Sequence, residues 1–238
     1  MAQMKTTQIS GDLIQLTRLG FVNAYLVRED DGFTLIDTTL GGHAAPDLLG
    51  AASAAGGEIR RIALTHGHGD HAGGLDAIKR QLGDGVEVYV GEPDARVWAG
   101  EKVIDGKKAT GYWTEVKTMP DVLLTGGERI GSLEVVPSPG HTLGHVSYRD
   151  VRDGTVIAGD VFTAYGRLEV SNHFYWRFPL AYNATLDRSQ DLDSARAMRA
   201  LQPSRLLVGH GPAADAPAAA MDAAIARSAK AVGEPASG

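Results

Sequence analysis

The chain contains no cysteine. Disulfides and thiolate metal ligands are therefore excluded, and the composition fits a reducing compartment. It also lacks any apolar run near the roughly 20 residues that cross a bilayer. The opening Met1-Ala2-Gln3-Met4-Lys5 leads into polar residues rather than an apolar leader, so neither a signal peptide nor a membrane span is expected, and a cytoplasmic location is the default. Positive charge is in deficit: 23 Lys and Arg against 29 Asp and Glu leave a net charge of −6. Such a balance offers no basic surface for nucleic acid. What remains is a 238-residue chain with 43% hydrophobic residues, enough to bury one core, so a single domain over 1–238 is expected.

Histidine is where the chain concentrates its chemistry. The segment Thr65-His66-Gly67-His68-Gly69-Asp70-His71 follows the apolar run Ile62-Ala63-Leu64 and holds three of the eight histidines. Imidazole and carboxylate are what zinc and similar divalent ions bind, and the two glycines let a tight loop turn several side chains toward one point. Three later strand ends deliver the same chemistry. Leu133-Glu134-Val135-Val136 runs on to His141-Thr142-Leu143-Gly144-His145, Thr155-Val156-Ile157-Ala158 ends in Gly159-Asp160, and Arg205-Leu206-Leu207-Val208 ends in Gly209-His210-Gly211. Sites in layered α/β folds form at loops just beyond strand ends.

The element pattern places these loops in two halves. Antiparallel strands are expected over 12–37, with 22–27 and 33–37 joined through the Asp30-Asp31-Gly32 turn. A helix over 43–55 follows, then a strand at 59–64, the histidine loop, a helix near 74–82, a strand at 86–90 and a short helix at 92–99. The second half repeats the plan, with strands from 133 to 158, a helix near 187–201, a strand at 205–208 and a last helix after Pro217, the alanine-rich segment 213–226 having high helix propensity. Strands interleaved with helices in two halves predict an α/β, four-layer αββα sandwich with the ligands at one sheet edge.

In the order HxHxDH, GHTxGH, GD and GHG, residues 65–211 resemble the metallo-β-lactamase superfamily of dinuclear hydrolases. The resemblance implies that fold and two divalent metal ions, zinc first, with iron, manganese or cobalt able to take the same ligands. It assigns His66, His68 and His141 to one ion, Asp70, His71 and His210 to the other, and Asp160 to a bridge between them. A bridging hydroxide would attack an electrophilic carbonyl, with Asp70 and Asp160 as the catalytic carboxylates. His145 and Asp37 would orient ligands without binding metal.

Within that superfamily, the missing cysteine excludes the branch with a Cys ligand, and Asp160 resembles the bridge of lactonases and glyoxalase II-like thioesterases. His68 stands where a di-iron oxidoreductase branch has Glu, and only an alanine-rich tail follows His210 where glyoxalase II has a helical domain. The resemblance therefore favours a lactone, of the acyl-homoserine lactone kind, as substrate. A glyoxalase II-like thioesterase, an aryl ester or phosphotriester hydrolase and an iron-dependent oxidoreductase are the alternatives. The partner implied is a small molecule, with no nucleic acid and no membrane, and a homodimer is possible.

Aromatic residues are scarce, at 6%, and unevenly placed. Trp98, Tyr112 and Trp113 lie in one long connection, while close to half of all aromatics fall between 162 and 182. Long ordered connections are more often functional than not. Phe162, Tyr165, His173, Trp176 and Tyr182 are accordingly expected to wall or lid the substrate, the rival reading being that these rings plug a sheet edge or form a dimer contact.

Overall fold

The computed structural model describes residues 4–233; residues 1–3, which open the expected leaderless start, and 234–238 lie outside the described residues. The chain forms the expected αββα sandwich. One sheet has seven strands, of which Lys5–Ser10, Leu13–Arg18, Val22–Glu29 and Gly32–Ile36 form an antiparallel meander. Ile59–Ala63, Glu87–Gly91 and Val122–Leu124 extend it in parallel. The other sheet has six strands, Arg129–Ile130, Leu133–Pro137, Val146–Asp150, Val156–Ile157, Arg205–Leu207 and Ala214–Asp215.

Period-two alternation explains the layers, because successive strand residues face opposite sides. Tyr25, Val27 and Ile36 point inward and meet Leu133, Val135, Tyr148 and Leu207 of the facing sheet. Their neighbours Ala24, Leu26 and Leu35 point outward, onto Leu48 of the helix Ala45–Ala54 and Leu75 and Ile78 of the helix Leu75–Leu82. On the far side, Val156, Leu206 and Val208 pack under Ala195 and Met198 of the helix Arg188–Ala200 and under Met221 and Ala224 of the helix Ala218–Ala231. Among the described residues no helix is long and apolar enough to cross a membrane.

The expected elements differ from the observed ones at their ends, for local reasons. Lys5–Ser10 is a strand that the sequence pattern does not announce, since its side chains are exposed or only half-buried. The strand expected to reach residue 37 stops at Ile36, because Asp37 takes the left-handed conformation at φ 61°. Asp187 stands outside its helix as the N-cap, its Oδ1 accepting the Gln190 amide at 3.0 Å. The last helix starts at Ala218, after Pro217 as expected, but the alanine-rich stretch before it is not helical, because Ala214–Asp215 pairs with the edge of the sheet.

The two sheets are pinned at the edge that carries the histidine loops. From one sheet, the buried Tyr25 hydroxyl donates to the Val208 carbonyl at 2.6 Å; from the other, the buried Tyr148 hydroxyl donates to the Leu64 carbonyl at 2.6 Å. Asn23 donates through Nδ2 to the Val208 and Gly211 carbonyls and through its backbone amide to Gly209. Each acceptor sits just before or beside a histidine loop, so the pins set the distance between loops from opposite sheets.

Tyr148→Phe removes one pin and leaves a buried acceptor short of a partner. The expected cost is about 1–3 kcal/mol, read as a lower urea midpoint at unchanged slope; a midpoint within error of the parent would show that the pin carries no stability.

Candidate metal centre

The four loops bring seven side chains to one place. Ligand atoms of His66, His68 and His141 lie within 4.8 Å of one another, as do those of His66, His71 and Asp160, and those of Asp70, His71 and His210. The first and third groups share no residue, and the middle one draws one histidine from each and adds Asp160. Asp160 Oδ2 is 3.1 Å from His210 Nε2 and 3.5 Å from His141 Nε2, and its Oδ1 is 3.4 Å from His71 Nε2. This approach depends on a missing side chain: a Cβ on Gly209 would stand 2.0 Å from Asp160 Oδ1.

The far nitrogens of the rings are all held by oxygen acceptors, with one exception. Nδ1 of His71 donates to Asp37 Oδ2 at 2.8 Å, and Nδ1 of His210 donates to the Phe21 carbonyl at 3.0 Å. The Thr65 hydroxyl is committed as donor to Asp37 Oδ2, so at 3.0 Å it accepts from His66 Nδ1. The Thr185 hydroxyl, committed to the Ala181 carbonyl, likewise accepts from His141 Nδ1 at 3.0 Å. A neutral imidazole that donates from Nδ1 offers a lone pair at Nε2. His68 is the exception: its Nδ1 faces His141 Nε2 at 3.1 Å, while its Nε2 lies against Gly111, where a Cβ would intrude to 2.5 Å.

These atoms fit a divalent cation. His66 Nε2, His71 Nε2 and Asp160 Oδ1 are buried without a hydrogen-bond partner, a condition that native interiors rarely tolerate unless something else binds there. Burial pushes the His66 and His141 imidazoles well below their ordinary range and His68 down to about 4, which keeps them neutral and available as ligands. Burial also pulls on His71 and His210, but the carboxylates around them win: Asp160, Asp37 and Asp70 raise His71 well above its ordinary value, and Asp160 and Asp70 raise His210 to about 9. Against the cost of burial, His210 and His71 hold the Asp160 carboxyl well below the usual carboxylate range, and they do the same for Asp70. The negative charge of the site is thus fixed on two carboxylates that face Nε2 of His71 and of His210.

His145 lies outside all three groups. Its Nε2 accepts the Asp160 backbone amide at 3.0 Å, its Nδ1 donates to Ser138 Oγ at 2.8 Å, and its ring stacks on His66 at 5.1 Å. It holds the backbone of Asp160, not its carboxylate, and burial lowers it to about 3. Asp37 holds His71 and also accepts the Thr65 amide through Oδ1 at 2.8 Å.

A cavity of about 540 Å³ opens onto the cluster. His68, Asp70, His141, Asp160 and His210 reach it from below, and Phe21, Leu40, Tyr112, Trp113, Leu180 and Ala181 wall it. None of Phe162, Tyr165, His173, Trp176 and Tyr182 lines it, which corrects the expectation for the aromatic connection. Phe162 is buried under the second sheet, Tyr165 stacks on Phe178 at 5.4 Å, and His173 sits 3.5 Å from Glu169. Tyr182 packs against Phe174 and under the Arg188 guanidinium, and Trp176 is 74% exposed. That connection contributes only its helix Pro179–Ala184, while the earlier one supplies Tyr112 and Trp113.

Sequence reasoning also missed Asp94. It is fully buried and accepts from the Gly67 amide at 2.8 Å, Thr142 Oγ1 at 2.7 Å and the Gly144 amide at 2.7 Å; burial pushes its carboxyl up to about 6. The one signal in the sequence was an acidic residue opening a helix directly after a strand, which reads first as favourable helix-dipole chemistry.

Comparison with known proteins places these features in context. The family model for the metallo-beta-lactamase superfamily matches residues 17–210. The chain is 38% identical over 214 residues to "Uncharacterized protein YobT" of Bacillus subtilis, covering 88% of this chain and 91% of that protein. It is 30% identical over 159 residues to the hydroxyacylglutathione hydrolase of Rhodospirillum rubrum, which is 65% of this chain and 53% of the relative, so the chain spans about half the length of that hydrolase. A metallo-beta-lactamase from Pontibacter korlensis has the same fold, with a TM-score of 0.73 at 22% identity over 95% of this chain and 99% of the other. The metallo-beta-lactamase FIM-1 from Pseudomonas aeruginosa, in its mono-zinc form, gives 0.75 at 18% identity over 96% of each chain.

His145→Ala should retain bound metal while turnover falls about 10–100-fold, the loss typical of a group that holds a ligand in place. A loss of metal as large as that in His141→Ala would instead make His145 a ligand.

Proposed function

The chain belongs to the metallo-beta-lactamase superfamily of hydrolytic metalloenzymes, and we propose that it holds two divalent ions, zinc first among them, and hydrolyses a lactone or ester with an apolar acyl portion. The observation that carries this reading is the junction of the buried, unpartnered ligand atoms with a cavity whose walls are aromatic and aliphatic. Two ions are supported by two ligand groups that share no residue and by a carboxylate, Asp160, that touches histidines of both.

Divalent metal in such a site supplies Lewis acidity, which lowers the pKa of water and polarises a carbonyl oxygen. The chain's own residues do the rest. Asp70 is the most accessible of the seven ligands, with its side chain 26% exposed and facing the cavity. Being held in the ionised form, it orients the attacking water by accepting its O–H. Trp113, Tyr112 and Leu180 exclude solvent around the acyl group, and each methylene buried against them contributes about 0.8 kcal/mol at most. No serine or lysine nucleophile is required. A thioester is the second reading, favoured by the likeness to hydroxyacylglutathione hydrolases. Oxygen-consumption measurements on protein of known metal content separate both from iron-dependent redox chemistry.

Purified protein is expected to carry close to two divalent ions per chain, and Asp160→Ala to lose most of one together with activity, since a bridging anion neutralises both ions at once. Elemental analysis decides this, and full occupancy with unchanged rates in the variant contradicts it. Across lactones of increasing acyl length, kcat/KM should rise by up to about fourfold per methylene. Trp113→Ala should flatten that rise and the exposed Trp176→Ala should not; a flat profile in the parent protein, or thioester cleavage faster than that of any lactone, overturns the substrate assignment.

A further inference from the structure

Directly after the strand Glu87–Gly91, one short helix grips the histidine loop from behind. Gly67 lies between His66 and His68, and its peptide is held at both ends by the helix Glu92–Trp98. Asp94 Oδ2 accepts the Gly67 amide at 2.8 Å, and Trp98 Nε1 donates to the Gly67 carbonyl at 3.3 Å. The same Asp94 carboxylate reaches the loop that carries His141, where it accepts from Thr142 Oγ1 at 2.7 Å and from the Gly144 amide at 2.7 Å. One buried side chain therefore ties together the two loops that supply His66, His68 and His141.

The other group is held by different atoms. His71 is fixed by Asp37 at Nδ1 and by the Thr38 hydroxyl at its backbone carbonyl, and His210 by the Phe21 carbonyl. None of these bonds involves Asp94. Metal sites lose affinity when the groups that orient their ligands are removed, and separate hydrogen-bond networks act additively. We infer that Asp94 is a positioning residue for the ion at His66, His68 and His141 alone, and that the helix Glu92–Trp98 sets the spacing of those three imidazoles. The inference rests on the two-ion reading above and adds which ion each buttress serves.

The test measures zinc affinity by competition with a chelating indicator, independent of turnover. His210→Ala leaves the His66, His68 and His141 group as the intact one, and His141→Ala leaves the Asp70, His71 and His210 group. Asp94→Asn, which keeps the side chain's size but turns an N–H toward existing donors, is added to each background. Zinc affinity should fall about 10–100-fold in the first and by no more than about twofold in the second. Equal losses in both backgrounds, or no loss in the first, overturn the inference. Far-UV circular dichroism and urea unfolding of the metal-free proteins show whether Asp94→Asn folds. Should it not, Trp98→Phe, which removes the N–H to Gly67 together with part of the indole ring, carries the same test with the same selectivity expected. Parent protein that binds no zinc would remove the two-ion reading and this inference together, whereas parent protein that binds two ions, with Asp94→Asn weakening both alike, would remove this inference alone.

Discussion

Seven ligating side chains can share one buried site only if most of the imidazoles stay neutral and turn a lone pair toward the same point. The constraint that the rest of the structure serves is therefore the hydrogen bond on the far nitrogen of each ring. Burial drives His66 and His141 to the neutral form, but burial has no direction, and a neutral imidazole can carry its proton on either nitrogen. Thr65, Thr185, Asp37 and the Phe21 carbonyl settle the tautomer by accepting at Nδ1. Two of these acceptors are threonine hydroxyls whose own protons are already committed to Asp37 and to the Ala181 carbonyl. A hydroxyl alone would allow either polarity, and its second bond removes the choice.

The sandwich matters because it fixes where these acceptors stand. The donors and acceptors of the site come from both sheets, and a slide of one sheet against the other would separate them. Tyr25, Tyr148 and Asn23 oppose that slide with hydrogen bonds to carbonyls at the ends of strands of the facing sheet. The inner core of Val27, Ile36, Leu133 and Val135 fills the space between. The parallel pairing of Val156–Ile157 with Arg205–Leu207 adds a further constraint, since it sends Asp160 and His210 out at the same end.

How much of this was legible in the sequence depends on whether a role is carried by side-chain chemistry or by direction. The ligand loops were legible because histidine and aspartate at glycine-rich strand ends have few other uses, and the structure brings all seven expected ligands together. The layers were legible because Ala24 to Val27 alternate faces in a meander whose strands Leu13–Arg18, Val22–Glu29 and Gly32–Ile36 each bury two sides. Asp94 was not legible: two of its three partners are backbone amides, which leave no trace in residue type. The cavity wall was misplaced for a related reason. Aromatic density along the chain reports that rings will be buried somewhere, not toward which layer. Phe162 turns under the outer helices, and Tyr182 turns to Phe174 and Arg188. Phe21 and Leu40, isolated in sequence and in turns between elements, reach the cavity instead.

The segment from Asp37 to Gly41 shows how the metal cluster and the cavity wall are coupled. Asp37 and Thr39 both adopt positive φ, at 61° and 57°, and such positions cost of order 1–3 kcal/mol each unless the surroundings impose them. For threonine the conformation is a true outlier, because its branched Cβ crowds the backbone. What imposes it here is visible on both sides of the turn. Asp37 is locked by Thr65 and His71, and Thr38 is locked by its amide and hydroxyl on the His71 carbonyl and by the Gly74 amide on its hydroxyl. The turn then delivers Leu40 and Gly41 to the cavity. Orientation of a metal ligand and placement of a wall residue are thus two ends of one strained turn. A substitution that relaxed the backbone at Thr39 would act on His71 and on the cavity wall together, although Thr39 itself does not line the cavity.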